Sequence, residues 1–305
     1  MSRNTNETLM HNVNLLSQLT KLEVSMMPQT EAPLPSVEQV KQIISLIKSI
    51  IFPDYFTKRQ CDETIRSYYI GVQMEELLKL LTKQIAHGLQ FSEDCDSKTT
   101  KQQIYDNAEE LALQFIDSLP EIKRLLYTDV QAMFDSDPAV SNYGEVIFCY
   151  PVMNAMTHYR FAHKLHELNV PVIPRIITEL AHSKTGIDIH PGAQIGEYFA
   201  IDHGTGVVIG ETSIIGNHVT LYQGVTLGSK NFKYDAQGNI LNVPRHPIIE
   251  DYVTVYSNAS ILGRITIGHH SVIGGNIWIT HDVAPYSRVL QRKAVEAHFE
   301  AGLGI

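Results

Sequence analysis

From Ile249 onward a branched aliphatic residue recurs at every sixth position: Ile249, Val255, Ile261, Ile267, Ile273 and Ile279. A second column, Val253, Ala259, Ile265, Ser271, Ile277 and Val283, keeps the same period. Neither a helix nor an ordinary strand repeats at six. The spacing belongs to a parallel β-helix with flat faces, each face taking one inward side chain per hexad. The column continues upstream as Ile189, Ile195, Ile201 and as Ile209, Ile215, Leu221, Leu227. Gly196, Gly210, Gly216, Gly228, Gly268 and Gly274 follow its members and are expected to supply backbone freedom at the corners.

The frame slips twice. Between Ile201 and Ile209 the step is eight residues, so the segment Asp202-His203-Gly204-Thr205-Gly206 must bulge, and it carries an acid and an imidazole. Between Leu227 and Ile249 the phase is lost across the polar stretch 229–244. That stretch reads as a loop thrown out of the coil, returning through Arg245-His246-Pro247. Loops carried on a rigid scaffold are where function concentrates.

The preceding residues are patterned as helices. Ser36 and Gln39 stand at capping-box spacing ahead of an apolar stripe at Val40, Ile43, Ile44, Ile47 and Ile51, with Pro53 ending it. Further helices are expected over 63–90, 101–118, 120–134 and 144–168, the last kinked at Pro151, then a short one through His182. Residues 1–30, mixing Asn, Thr, Gln and Pro, read as poorly ordered. The fold class is therefore α+β: an all-helical domain over 1–184, a β-helix over 185–285 with its loop at 229–244, and a tail over 286–305. The helices should also cap the open first coil, because end units of a repeat stack need covering.

A formal charge of −9 with no evident basic face argues against a nucleic-acid partner. No apolar run reaches bilayer length, and the start lacks a secretory signal's apolar core, so a cytoplasmic protein without a membrane partner is expected. Cys61, Cys95 and Cys149 are odd in number and far apart, which argues against a disulfide framework and against a CxxC metal or redox site.

His203 is the leading candidate for chemistry. It lies in the bulge, after Asp202 and before two glycines that let a ligand approach the backbone. Asp188, fifteen residues earlier, is close to one coil away; spacing leaves it open between a turn residue before Pro191 and a carboxylate that orients His203. No nucleophile elbow and no cysteine in the coil suggest a covalent intermediate, so direct transfer by general-base catalysis fits better. His190, His218, His246, His269, His270 and His281 raise a zinc site, but no H-x-x-x-H ligand pair is present and no metal is expected.

Six segments in order resemble the serine O-acetyltransferases, hexapeptide-repeat enzymes: Asp137-Pro138-Ala139-Val140; Tyr159-Arg160 with His163; Gly186-Ile187-Asp188-Ile189-His190-Pro191; Ile201 through Gly206; Val225-Thr226-Leu227-Gly228; and Arg245-His246-Pro247. The resemblance implies a left-handed parallel β-helix that transfers acetyl from acetyl-CoA to L-serine, the first step of cysteine biosynthesis. It implies His203 as general base with Asp188 as its partner, and Asp137, Asp202, Arg245 and His246 as serine contacts. The pantetheine arm of acetyl-CoA would pass Gly228, Ser229, Ser257 and Gly275. Sites of this type lie between subunits, which implies a homotrimer, sometimes paired as a dimer of trimers. A C-terminal isoleucine, here Ile305, docks in this family into O-acetylserine sulfhydrylase; only Gly304-Ile305 matches. Trimer against hexamer and feedback by cysteine stay open. Three departures stand out: a longer 229–244 loop, no G-x-P-A sequence after the coil, and an N-terminal extension. The alternatives are a hexapeptide acetyltransferase acting on a sugar or antibiotic hydroxyl, and a non-catalytic trimeric scaffold.

Overall fold

The computed structural model describes residues 4–28, 33–57, 63–91 and 99–291. The helical part comprises α1 (Thr5–Leu16), α2 (Lys21–Met26), α3 (Val37–Ile51), α4 (Pro53–Phe56), α5 (Glu63–Phe91), α6 (Lys101–Asp117), α7 (Leu119–Ser136), α8 (Tyr143–Cys149), α9 (Pro151–Glu167) and α10 (Ile173–Thr185). Where disorder was expected, α1 and α2 are helices with no buried residue. Only half of the expected capping box forms on α3. Ser36 Oγ accepts from Gln39 N at 3.3 Å, but Ser36 N donates to Gln84 Oε1 at 2.7 Å, a partner on α5. The stripe Val40, Ile43, Ile44 and Ile47 is buried, with Leu77, Leu81 and Ile85 of α5 in the same core.

The expected 144–168 helix is two helices. Tyr150 is extended (φ −76°, ψ 125°) and Pro151 becomes the first residue of α9, where its missing N–H costs nothing. α9 is buried nearly all round, as a central helix must be, covering Val152, Met156, Phe161, Ala162 and Leu165 and also the polar Thr157, His158 and Arg160.

The chain then winds into coils of three short strands. The first coil has β1 (Asp188–Ile189), β2 (Gln194–Ile195) and β3 (Ala200–Asp202); the second has β4 (Val208–Ile209), β5 (Ile214–Ile215) and β6 (Thr220–Tyr222). The third has β7 (Thr226–Gly228), β8 (Ile248–Ile249) and β9 (Thr254–Val255), and the fourth β10 (Ser260–Leu262), β11 (Thr266–Ile267) and β12 (Val272–Ile273). β13 (Trp278–Ile279) and β14 (Arg288–Val289) follow. All pairing between these strands is parallel and joins equivalent strands of successive coils, giving three sheets: β1-β4-β7-β10-β13, β2-β5-β8-β11 and β3-β6-β9-β12-β14. This is a left-handed β-helix, and its hexad column Ile249 to Ile279 is buried throughout. In the second column Ile265 and Ile277 are only partly buried.

The hexad glycines serve a different purpose from the one expected. None of the six has a left-handed backbone; the positive-φ corners are built instead on Tyr198, His203, His218, Tyr252, Asn258, His270, Asn276 and Tyr286, with Gly204, Gly206, Gly224 and Gly263. The hexad glycines are there because the next coil leaves no room: a Cβ on Gly196 would stand 2.8 Å from the Gly216 carbonyl carbon. At the corner between the second and third sheets the left-handed residues stack as one ladder. Tyr198, His218, Tyr252, His270 and Tyr286 succeed one another at centroid distances of 4.4, 4.6, 4.7 and 5.0 Å. Stacking offsets part of the ~1–3 kcal/mol that each such backbone costs.

The helices close the first coil from below. Tyr159 Oη donates to Ala193 O at 2.7 Å, and Arg160 pairs with Asp129 while donating to Ile195 O (2.7 Å) and Gly196 O (2.6 Å). No helix among the described residues is long and apolar enough to cross a membrane.

Candidate active site

The bulge that broke the hexad phase forms the corner between β3 and β4. Gly206 N donates to Gly186 O at 2.8 Å, and a Cβ on Gly204 would lie 2.6 Å from the Ile187 side chain, so the bulge rests on the entry to β1. At its tip His203 takes φ +58° and leaves its side chain 74% exposed, a strained backbone presenting an open imidazole. Its Nδ1 lies 3.8 Å from Asp202 Oδ1.

α7 delivers Asp137 to the same place. Its carboxylate accepts from Tyr150 Oη (2.6 Å) and Ala139 N (2.8 Å), and these bonds, with the charge of His203, hold it below the usual carboxylate range. The bond to Asp137 pushes the Tyr150 hydroxyl up to about 12, with Asp202 contributing. Burial raises Tyr222, and Asp202 and Asp137 act on it in the same direction. Asp137, Asp202 and His203 therefore share one electrostatic neighbourhood with Tyr150 and Tyr222, which composition and spacing had not singled out.

Asp188 is positioned by the first coil. It opens the coil that His203 closes and pairs with Val208 on β4, with its carboxylate in a group with His182 and Glu179 of α10, donor atoms mutually within 4.8 Å. Among the described residues the ion pair of His203 is with Asp202.

A second cluster occupies the corner between the first and second sheets. Arg245 Nη2 meets Glu211 Oε2 at 2.6 Å, and Arg264 Nη1 donates to Thr212 O (2.6 Å) and His246 O (3.0 Å). The backbone N–H of Thr212 points at His246 Nδ1 (3.0 Å), which must be the unprotonated nitrogen and leaves Nε2–H as the donor. Burial, reinforced by Arg245, lowers His246 to about 4, so the ring is neutral at physiological pH. Its Cδ2 edge lies over Gly210, where any Cβ would collide with it. Glu211 and Thr212 went unnoticed in the sequence because the intervening loop hides that Gly210-Glu211-Thr212 and Arg245-His246 are stacked corners. No hydrogen bond or ion pair joins this cluster to the His203 cluster among the described residues.

The residues expected along acetyl-CoA divide similarly. Ser257 and Gly275 lie on the corner that His203 begins, two and three coils further on, with Asn276 N donating to Ser257 O at 2.9 Å. Three coil steps of ~4.8 Å make that edge roughly 14 Å long. Gly228 and Ser229 stand where the 229–244 loop leaves β7. Between that loop and the coil is a cavity of about 250 Å³ lined by Lys230, Lys233, Arg245 and Arg264 together with Phe232 and Leu262. Of the cysteines, Cys149 is exposed, whereas Cys61 and Cys95 fall outside the described residues.

No protein-family model matches this chain. It is 45% identical over 276 residues to a plasmid-borne serine acetyltransferase of Synechococcus elongatus, covering 90% of this chain and 86% of that protein. Entamoeba histolytica serine acetyltransferase 1, solved in complex with L-cysteine, superposes with a TM-score of 0.69 at 35% identity over 85% of this chain and 90% of its own. Isoform 3 from the same organism, in complex with cysteine, gives 0.71 at 31% identity over 96% and 93%.

Proposed function

The chain belongs to the serine acetyltransferase family, and from that premise we propose how its residues move an acetyl group from acetyl-CoA to L-serine, yielding O-acetyl-L-serine and CoA. His203 removes the proton from the serine hydroxyl as the oxygen attacks the thioester carbonyl. The C–S bond breaks as the tetrahedral species collapses, and the departing sulfur takes the proton held by the imidazolium. Both substrates are bound together and no acyl-enzyme forms. The observation that carries this reading is the bulge: a strained, exposed imidazole flanked by Asp202, with Asp137 acting on the same spot.

Asp137 and Asp202 receive the ammonium group of serine. Asp188, which opens the coil that His203 closes, is the further partner of His203. Arg245 grips the serine carboxylate after leaving Glu211, and His246 offers its Nε2–H. The pantetheine arm follows Gly228, Ser229, Ser257 and Gly275. Because the His203 and Arg245 clusters occupy different corners of the solenoid, a complete site combines His203 of one subunit with Arg245 of its neighbour. A homotrimer is then the minimal working unit, and two trimers pair through their helices. Cysteine, bound by both Entamoeba relatives, inhibits by competing for the serine pocket. The proposed docking of Ile305 into the sulfhydrylase concerns a residue outside the described ones, and a cytoplasmic location fits this place in metabolism.

The test is thiol release from acetyl-CoA against serine, homoserine and a galactoside, for the natural chain and His203→Ala. Serine is the preferred acceptor, and the substitution lowers kcat by about 10²–10⁴. Retention of more than half the turnover removes His203 as the base, and equal turnover of a galactoside removes serine as the substrate.

A further inference from the structure

Away from both clusters, α3, α8, α9 and the end of α10 enclose a cavity of about 220 Å³. One water needs only ~10–15 Å³ of such space, so the cavity has room for a small molecule. Its cations are Lys48 of α3 and Lys184 of α10. Lys48 Nζ donates to Asn154 Oδ1, and neither lysine has an ion-pair partner among the described residues. Asn154 Nδ2 is buried there without an acceptor. Phe52, Phe148 and Met153 supply the apolar wall, and Phe148 is 65% exposed, marking the mouth.

This arrangement is costly for an empty cavity. Burial, with Lys184 beside it, lowers the Lys48 ammonium to about 8, and the same two lysines add to the burial that keeps His158 neutral. Two like charges lining one space, that of Lys48 well buried, are what an anion would satisfy. Two lysines at one space match a ligand that carries two negative charges. The aromatic wall favours a ligand with an apolar body over a bare inorganic ion.

We propose that this cavity is a binding site for a small organic dianion, whose charged end is held by Lys48 and Lys184 and whose body lies on Phe52, Phe148 and Met153. Tyr150, which hydrogen-bonds Asp137 at the candidate active site, is also part of the cavity wall. The site is nonetheless separate from the serine and acetyl-CoA positions.

The probe is phenyl phosphate, titrated calorimetrically into the full chain in the presence of saturating CoA, with phenol and inorganic phosphate as partial probes. Phenyl phosphate should bind saturably and more tightly than either partial probe. Lys48→Met and Lys184→Gln should each weaken it by about tenfold or more, the worth of one charge-assisted bond. Lys184 is exposed at the last turn of α10, so Lys184→Gln remains informative should Lys48→Met fail to fold. Absence of saturable binding, loss of binding once CoA is present, phenol as tight as phenyl phosphate, or unchanged affinity in Lys184→Gln would each overturn the proposal.

Discussion

Replacing Arg160 by Met tests what seats the solenoid on the helices. The guanidinium donates to Asp129 through Nε (3.1 Å) and Nη2 (2.9 Å), and to the carbonyls of Ile195 and Gly196. Both side chains are almost fully buried, at 3% and 0% exposure. In Arg160→Met the Asp129 carboxylate keeps only Phe199 N, at 3.3 Å, and two carbonyls lose a donor. Removing one member of a buried pair typically costs ~3–5 kcal/mol, mainly because the survivor is left charged and unpaired. The penalty should show in urea unfolding at fixed protomer concentration, since assembly contributes to apparent stability. The variant also carries a pH signature. Burial raises the Asp129 carboxyl and Arg160 counteracts it, so without Arg160 the folded pKa lies above the ordinary ~3.9. A raised folded pKa means stability recovered as pH falls below it, so Arg160→Met should regain stability on mild acidification. The pair Asp129→Leu with Arg160→Met should recover much of the loss at neutral pH, since no lone charge remains. A single-variant loss below about 1 kcal/mol, similar to that of an exposed pair, would refute the reasoning.

The remaining predictions address the site. Gly210→Ala drives a methyl into the His246 ring, and displacement by about 1 Å should lower kcat/KM for serine by roughly 10²-fold; wild-type kinetics would exclude His246 from the serine pocket. Arg245→Lys keeps the charge but loses the planar fork, so the KM for serine should rise about tenfold while that for acetyl-CoA holds; the reverse pattern would place Arg245 at the cosubstrate. Burial lowers His158 to about 3, whereas the unfolded ring takes its proton near pH 6.5. Stability should therefore fall as pH drops from 6.5, with this ring adding up to ~1.4 kcal/mol per pH unit. His158→Gln should flatten that slope in urea titrations at pH 7 and 5; an identical slope would show that the ring is not held neutral.

The six-residue period established the coil because each inward position is a local, repeated choice: Ile249, Val255 and Ile261 point inward for the same reason, and all are buried. Breaks in that period marked both places where side chains gather, the His203 bulge and the return through Arg245-His246. Helix positions were legible from apolar stripes, but the division at Tyr150 depended on how Pro151 docks the second helix. Other features are set by contacts between coils that linear spacing does not encode. Glu211 meets Arg245 across 34 residues because a loop of arbitrary length lies between two stacked corners. The hexad glycines answer to the neighbouring coil, its backbone or a side chain, rather than to their own φ, and the ladder from Tyr198 to Tyr286 exists because five left-handed corners stack. Asp188 stands beside His182 and Glu179 because α10 packs against β1. A period specifies which way a side chain faces; which neighbour it then meets is decided by how coils and helices stack in space.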